Sequence, residues 1–219
     1  MMDVIKKIRT KKELKDLDED YIVSRVGKLN LKNKEDFKNL RAQLRKVYGM
    51  FKNIKFTRRD EVYDLIFKIT GKPKKILDLG CGYNPLHFPF KDIEYYASDI
   101  GHDYVNDVNE YFNENNLKGK AFIFDLLSGD FSKLPKVDVV FLFRVLESLE
   151  YYTRDYSKEV IEKLNAEYVV VSFDKEGLSR KRNLRKKGRS WFRRILKEMG
   201  YHYNVIDFGN EIFFVIHKI

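Results

Sequence analysis

Between Lys74 and Gly82 the chain reads KKILDLGCG, an apolar run that passes without a break into two glycines one residue apart. A short aliphatic stretch closed by glycine reads as a buried strand ending in a tight turn. Gly80 and Gly82 let the backbone approach a ligand where a Cβ would collide, and in α/β sheets such turns open at the C-terminal edge, where ligands bind. A glycine turn also occurs for purely structural reasons, so the residues around it have to decide its meaning.

After Pro73 the runs KKILDL, IEYYASD, AFIFD, VDVVFLF and AEYVVVSF alternate with helical stretches. This alternation predicts βα units and a mainly parallel sheet. A later helix, WFRRILKEMG, precedes YHYNVIDF and EIFFVIHK, and the Gly209-Asn210 pair between those two runs predicts a closing antiparallel hairpin. The first seventy residues show no strand signal. Phe37, Leu40, Leu44, Val47 and Tyr48 recur at helical spacing over 33–51, TRRDEVYDLIFKITG offers Thr57 as an N-cap and Gly71 as a stop, and residues 2–19 read as weaker helix. The expected organisation is a helical extension over 1–72 and an α/β domain over 73–219.

The net charge of +10 is unevenly placed. Residues 1–72 hold 20 Lys and Arg against 11 Asp and Glu, residues 175–198 hold 11 against 2, and the rest is acidic. Crowding like charges opposes compaction, so this polarity points to a polyanionic partner, nucleic acid first. A single cysteine, Cys81, leaves no internal disulfide and no thiol cluster, and the four histidines lack ligand spacing, so no structural metal is expected. No apolar run approaches the length of a membrane span and the N-terminus lacks a secretory pattern; a cytoplasmic, non-membrane protein is expected.

Three acids stand at the ends of consecutive strand runs. Asp78 lies in the glycine turn, where it can accept from an amine or from backbone donors. Asp99 follows about twenty residues on, where a carboxylate can accept both ribose hydroxyls of a nucleoside. Asp125 ends the third run and can accept from an exocyclic amine of adenine. Singly each is as readily a helix cap or a solvated loop end; three in register are a pattern.

Asp78-Leu79-Gly80-Cys81-Gly82 resembles the S-adenosylmethionine-binding motif of class I methyltransferases, whose fold is a Rossmann-like, mainly parallel sheet finished by an antiparallel hairpin. Pro85 occupies the position of the third glycine of a dinucleotide fingerprint, which counts against NAD. ILDLGCGYNPLHFPF, YYASDI, VFLFRVLESLE, VVVSFDKEGLSRK and FGNEIFFVIHK, in that order, are similar to the 16S ribosomal RNA guanine-N7 methyltransferases known for aminoglycoside resistance. The likeness covers roughly 55–219, and Asn84-Pro85 is its most distinctive part. It implies that Gly80, Cys81 and Gly82 flank the methionine part of S-adenosylmethionine, Asp99 and Ile100 the ribose, and Asp125 with Leu126 the adenine. Arg58 resembles a family arginine that meets the cofactor carboxylate, with Arg59 as a rival. The family's helical N-terminal extension docks the small ribosomal subunit. Leu146-Glu147-Ser148 and Asp174 depart from the family's Leu-Pro-Cys-type segment and proline.

The reaction follows by elimination. An Asn/Asp-Pro-Pro-aromatic tetrad for amino-group methylation is missing after the fourth run, which continues as LFRVLESLE, and Cys81 sits in the cofactor loop, away from any role as a ring-activating nucleophile. Guanine N7 is already nucleophilic and needs only alignment and exclusion of water, so no catalytic base has to be identified. Adenine N1, a transfer RNA substrate and a non-catalytic RNA-binding protein stay open. In RKRNLRKKGRSWFRR, Arg180, Lys181, Arg182, Arg185, Lys186, Lys187 and Arg189 offer phosphate contacts and Trp191 a stacking surface, unless Trp191 and Phe192 face the core beside Ile195 and Leu196. An asymmetric RNA target fits a monomer.

Overall fold

The computed structural model describes residues 2–27, 33–45, 48, 58–175 and 189–218. A seven-stranded sheet in the order β3-β2-β1-β4-β5-β7-β6 forms the centre. Its strands are β1 (Lys75–Leu79), β2 (Glu94–Asp99), β3 (Gly119–Ile123), β4 (Val137–Phe143), β5 (Ala166–Asp174), β6 (His202–Phe208) and β7 (Glu211–His217). The first five run parallel, and β7 lies antiparallel to both β5 and β6. Gly209, at φ 55°, turns the hairpin that the Gly-Asn pair predicts.

The helices are α1 (Met2–Arg9), α2 (Glu19–Val26), α3 (Lys34–Leu44), α4 (Asp60–Thr70), α5 (His102–Glu114), α6 (Leu146–Glu150), α7 (Tyr156–Lys163) and α8 (Ser190–Met199). Parallel strands are covered on both faces, so their two side-chain sets enter separate cores. Val139, Phe141 and Phe143 of β4 join Phe213 and Val215 of β7 on one face, packed with α4 and α5. Val140, Leu142, Phe214 and Ile216 face the other way, against α7 and α8. Phe192 of α8 is fully buried there, with Ile195 and Leu196 also enclosed.

The N-terminal helices hold a small core of their own. Ile8, Leu14, Leu17, Ile22, Leu40 and Leu44 close it, and Tyr104 of α5 enters it from the sheet side. Asp18 caps α2 by accepting from Tyr21 N, and Asn33 caps α3 through Glu35 N. Two expectations need correction. The weak helical signal over 2–19 resolves into α1, a 3-10 turn at Lys12–Leu14 and a break before α2, where Asp18 as a cap stops continuation. Helix α4, assigned to the extension by a boundary at 72, instead sends Val62, Tyr63 and Ile66 into the sheet core, because its apolar stripe packs on β6 and β7, with Tyr63 reaching Phe141 of β4. It starts after Arg59 without a side-chain cap, and Thr57 lies outside the described residues.

Candidate cofactor site and RNA-facing surface

The parallel register sets β1, β2 and β3 side by side with their C-terminal ends at one edge, pairing Leu79 with Ser98 and Asp99 with Ile123. The turn after β1 is tied to that edge, since Gly80 N and Cys81 N both donate to Ser98 O at 2.8 and 2.9 Å. Gly80 and Gly82 adopt φ of 71° and 50°, the left-handed region where side chains are strained. A Cβ on Gly80 would lie 2.9 Å from Val145 Cγ2, whereas at Gly82 nothing lies within 4 Å, so the turn is packed on one side and open on the other. Cys81 is buried, and burial raises its thiol well above the usual range, which fits a packed residue rather than a nucleophile.

Asp99 is the last residue of β2. Its Oδ2 accepts from Gly82 N and its Oδ1 from Gly101 N, each at 3.0 Å. Burial pushes its pKa up to about 6, against the pull of those backbone donors. The carboxylate therefore bridges the glycine turn to the start of α5, and Ile100 follows it on the partly buried wall. Asp125 lies two residues beyond the end of β3, in a loop fixed by Phe124 N donating to Asp99 O at 3.2 Å. It was expected at the strand end; the strand stops earlier, at Ile123. Leu126 beside it is buried, and its carbonyl accepts from Tyr156 OH at 3.2 Å.

Asp78 does not open towards a ligand as the sequence suggests. It is fully buried, its Oδ2 accepting from Asn84 Nδ2 and Tyr95 OH at 2.8 Å each, while its Oδ1 has no hydrogen-bond partner. Burial raises its pKa in spite of those donors and Arg58. Asn84 is the hub of this cluster. Its Oδ1 accepts from Arg58 Nη1 at 2.9 Å and Tyr63 OH at 2.7 Å, and Pro85 fixes the 3-10 turn that aims it inward.

Arg58 and Arg59 part company. Arg58 is buried, paired with Glu211 at 2.9 Å and stacked 4.3 Å over Phe143; Arg59 is exposed and pairs with Glu61. Only Arg58 reaches the glycine-turn cluster. Glu211 Oε1 also accepts from Arg144 Nε at 2.7 Å and Ser172 OH at 2.9 Å. Burial would raise Glu211, yet Arg58 and Arg144 together hold it below the usual carboxylate range. Arg144 sits just after β4 at φ 61°, a costly conformation for a residue that carries a Cβ, and also faces Asp174 at 3.4 Å. Sequence reasoning singled out Asn84-Pro85 without giving Asn84 a role, and it missed Glu211 and Arg144, whose signal was a charged residue set beside an apolar run.

Of the basic stretch, Arg180, Lys181, Arg182, Arg185, Lys186 and Lys187 lie outside the described residues. Arg189 departs from the phosphate-contact expectation. It is buried at the start of α8, paired with Glu147 at 2.6 Å, donating to Asp174 O at 2.6 Å and stacked over Phe173 at the end of β5. Trp191 is half-buried with its ring edge-on to Phe173 and Phe192, so the core-facing alternative describes most of its surface. Among the described residues no helix is long and apolar enough to cross a membrane, and no group of three metal-binding side chains is found.

The sheet order, the reversed last strand and the acids along its C-terminal edge define a class I methyltransferase fold. A family model described as ribosomal RNA methyltransferase (FmrO) matches residues 31–216, and the chain belongs to that family. It is 29% identical over 164 residues to a 16S rRNA (guanine(1405)-N(7))-methyltransferase of Micromonospora rosea, covering 73% of this chain and 59% of the relative. The corresponding protein of Micromonospora echinospora is 28% identical over 72% of this chain and 59% of its own length. The matched part thus spans little more than half of these curated relatives. Among solved structures, 16S rRNA methyltransferase RmtF in complex with S-adenosyl-L-homocysteine superimposes with a TM-score of 0.78 at 19% identity over 100% of this chain and 98% of that one. The 16S rRNA methylase RmtB gives 0.74 at 18% identity over 99% and 98%.

Proposed function

We propose that this protein is an S-adenosylmethionine-dependent RNA methyltransferase acting on a guanine N7 of small-subunit ribosomal RNA. The observation that carries the reading is the Asp99 carboxylate, buried at the end of β2 and held by Gly82 N, at a glycine whose added Cβ would meet nothing within 4 Å. The donor set fits the cofactor. Asp99 and Ile100 would hold the ribose, Asp125 and Leu126 the adenine, and Gly80, Cys81 and Gly82 the methionine part. Asp78 and Arg58, joined through Asn84 beneath the turn, would brace the wall on which the methionine part rests.

When bound, S-adenosylmethionine supplies an electrophilic methyl on a sulfonium. Guanine N7 would act through its own lone pair, so no residue of this chain would have to remove a proton. The protein therefore has to align the base and exclude water, a proximity effect for which a rigid sheet edge suffices. The N-terminal helices and the basic 176–188 segment would grip the RNA around this edge. A single copy acting where ribosomes are found fits an asymmetric target.

The test is transfer of tritiated methyl to purified small subunits, naked ribosomal RNA and transfer RNA, with Asp99→Ala as control. Label confined to small subunits, mapping to a guanine N7 and lost with D99A, supports the proposal. Label on transfer RNA or at adenine N1 replaces the substrate, and no label with no cofactor binding leaves an RNA-binding protein on a methyltransferase fold.

A further inference from the structure

The segment 16–25 touches both loops that the proposed reading gives to the nucleoside half of the cofactor. On the ribose side, Asp18 N donates to Ile100 O at 2.9 Å, His102 N donates to Asp16 O at 3.0 Å, and Leu17 bridges Gly101 in antiparallel fashion. The fit is close enough that a Cβ on Gly101 would fall 2.1 Å from Tyr48 Oη. On the adenine side, Arg25 of α2 reaches across to Asp125, with Nη2 2.6 Å from Oδ2. Both side chains are mostly buried, at 15% and 12% exposure, so this pair is poorly screened and its geometry is fixed. The guanidinium is further held over the rings of Tyr21 and Tyr152, at 5.0 and 5.4 Å, and those two tyrosines share a hydrogen bond at 3.3 Å.

From this arrangement we infer that Arg25 is a positioning residue for adenine recognition, supplied by the N-terminal extension to a carboxylate of the sheet domain. The inference rests on the reading of Asp125 as the acceptor for the adenine amine. A carboxylate offers about four lone-pair directions. Leu127 N occupies one on Oδ1, and Ser128 OH and Arg25 take two on Oδ2, which leaves one direction on Oδ1 for a donor from the cofactor. Arg25 is the anchor that comes from outside the loop. Without it the carboxylate can turn about its Cβ bond towards the flanking donors, and the remaining lone pair loses its aim. The extension then contributes to cofactor choice as well as to docking, and a cofactor held through Asp125 is linked to the seating of α2 on the sheet domain.

The experiment compares S-adenosylhomocysteine with S-inosylhomocysteine, which carries an oxo group in place of the adenine amine, by titration calorimetry on full-length protein. Wild type is expected to prefer the adenine form by about tenfold or more, the worth of a well-aimed buried hydrogen bond. Arg25→Met is expected to weaken the adenine form about tenfold and to narrow that preference to a few-fold, while Arg25→Lys, which keeps a cation beside Asp125, retains most of it. Equal weakening of both ligands in R25M, or an unchanged preference, overturns the positioning role, since a merely structural loss moves both ligands together. Should R25M not fold, Arg25→Gln, which is shorter and uncharged, carries the comparison, and a preference unchanged in R25Q overturns the inference. Wild-type protein that binds neither ligand, or both equally, would instead remove the reading of the site on which the inference stands.

Discussion

Arg58 and Glu211, 153 positions apart in the chain, meet as a buried ion pair at 2.9 Å with side-chain exposures of 8% and 3%. Glu211 opens the last strand, Arg58 precedes α4, and the pair closes the sheet edge between the glycine turn and the end of β4. A buried charge left without its partner costs far more than the pair contributes.

Removing either partner should therefore destabilise by about 3–5 kcal/mol, as read by urea unfolding near neutral pH. Glu211→Gln is expected to be the worse variant, since it strands Arg58 and Arg144 together. Double substitution of Arg58 and Glu211 by Met and Leu should cost less than the two singles combined. The pH dependence has a definite sign: a carboxylate lowered in the folded state contributes stability above its ordinary range and loses it as pH falls through the folded value, so the loss in E211Q should shrink in acid. A loss that stays constant from neutral to acid pH would contradict the ionic account.

Asp99 titrates in the opposite direction. With its pKa pushed up to about 6, it is ionised at neutral pH and protonated under mild acid. Ribose hydroxyls need the ionised form as acceptor. Affinity for S-adenosylhomocysteine should be level above pH 7 and fall by up to about tenfold per unit below pH 6. In the unliganded protein the same raised value makes stability decline as pH rises from about 4 to 6, because the folded state holds the proton more tightly there. Calorimetric titration across pH 5–8 decides it; a flat profile would place Asp99 outside the binding chemistry.

The two glycines of the turn separate packing from binding. Gly80→Ala puts a methyl 2.9 Å from Val145 Cγ2 at φ 71°, so both strain and collision act, and stability should fall by about 2 kcal/mol or more. Gly82→Ala meets only the backbone strain, about 1 kcal/mol, because nothing lies within 4 Å of the added carbon. Its larger effect should be on cofactor affinity, through the space it fills and through Gly82 N, which donates to Asp99. Thermal melts and ligand titrations of both variants check the crossover; equal losses in both assays would not fit a turn with one open side.

The strands, their order of appearance and the closing hairpin were legible because both faces of a parallel sheet are buried, which writes near-continuous apolar runs into the chain. The glycine turn and Asp99 were legible for a similar reason: a turn of this shape admits few residue types. What sequence could not show was pairing across distance. Nothing local in Arg25 marks it as the partner of Asp125, and nothing in the approach to α4 says that Arg58 turns inward while Arg59 faces solvent. Arg189 misled in the same way, since a cation within a basic run gives no sign that the chain carries it back under Phe173.

That residue provides the last test, because it divides the basic run by mechanism. Arg189 pairs with Glu147 at 2.6 Å, yet burial raises the glutamate and lowers the arginine, so desolvation outweighs their attraction and the pair itself is worth little. Breaking it is another matter, since Glu147 would be left facing Asp174 with one cation fewer. Arg189→Met should lower stability by about 2–4 kcal/mol and leave the salt slope of RNA binding unchanged. Charge reversal of Arg185, Lys186 and Lys187 should do the reverse, weakening RNA binding steeply at low salt and flattening the slope while the melt stays put. Filter binding of small-subunit RNA across a salt series, beside thermal melts of the same variants, reads both quantities. If R189M flattened the salt slope as the triple reversal does, the arginine would be reaching phosphate despite its burial.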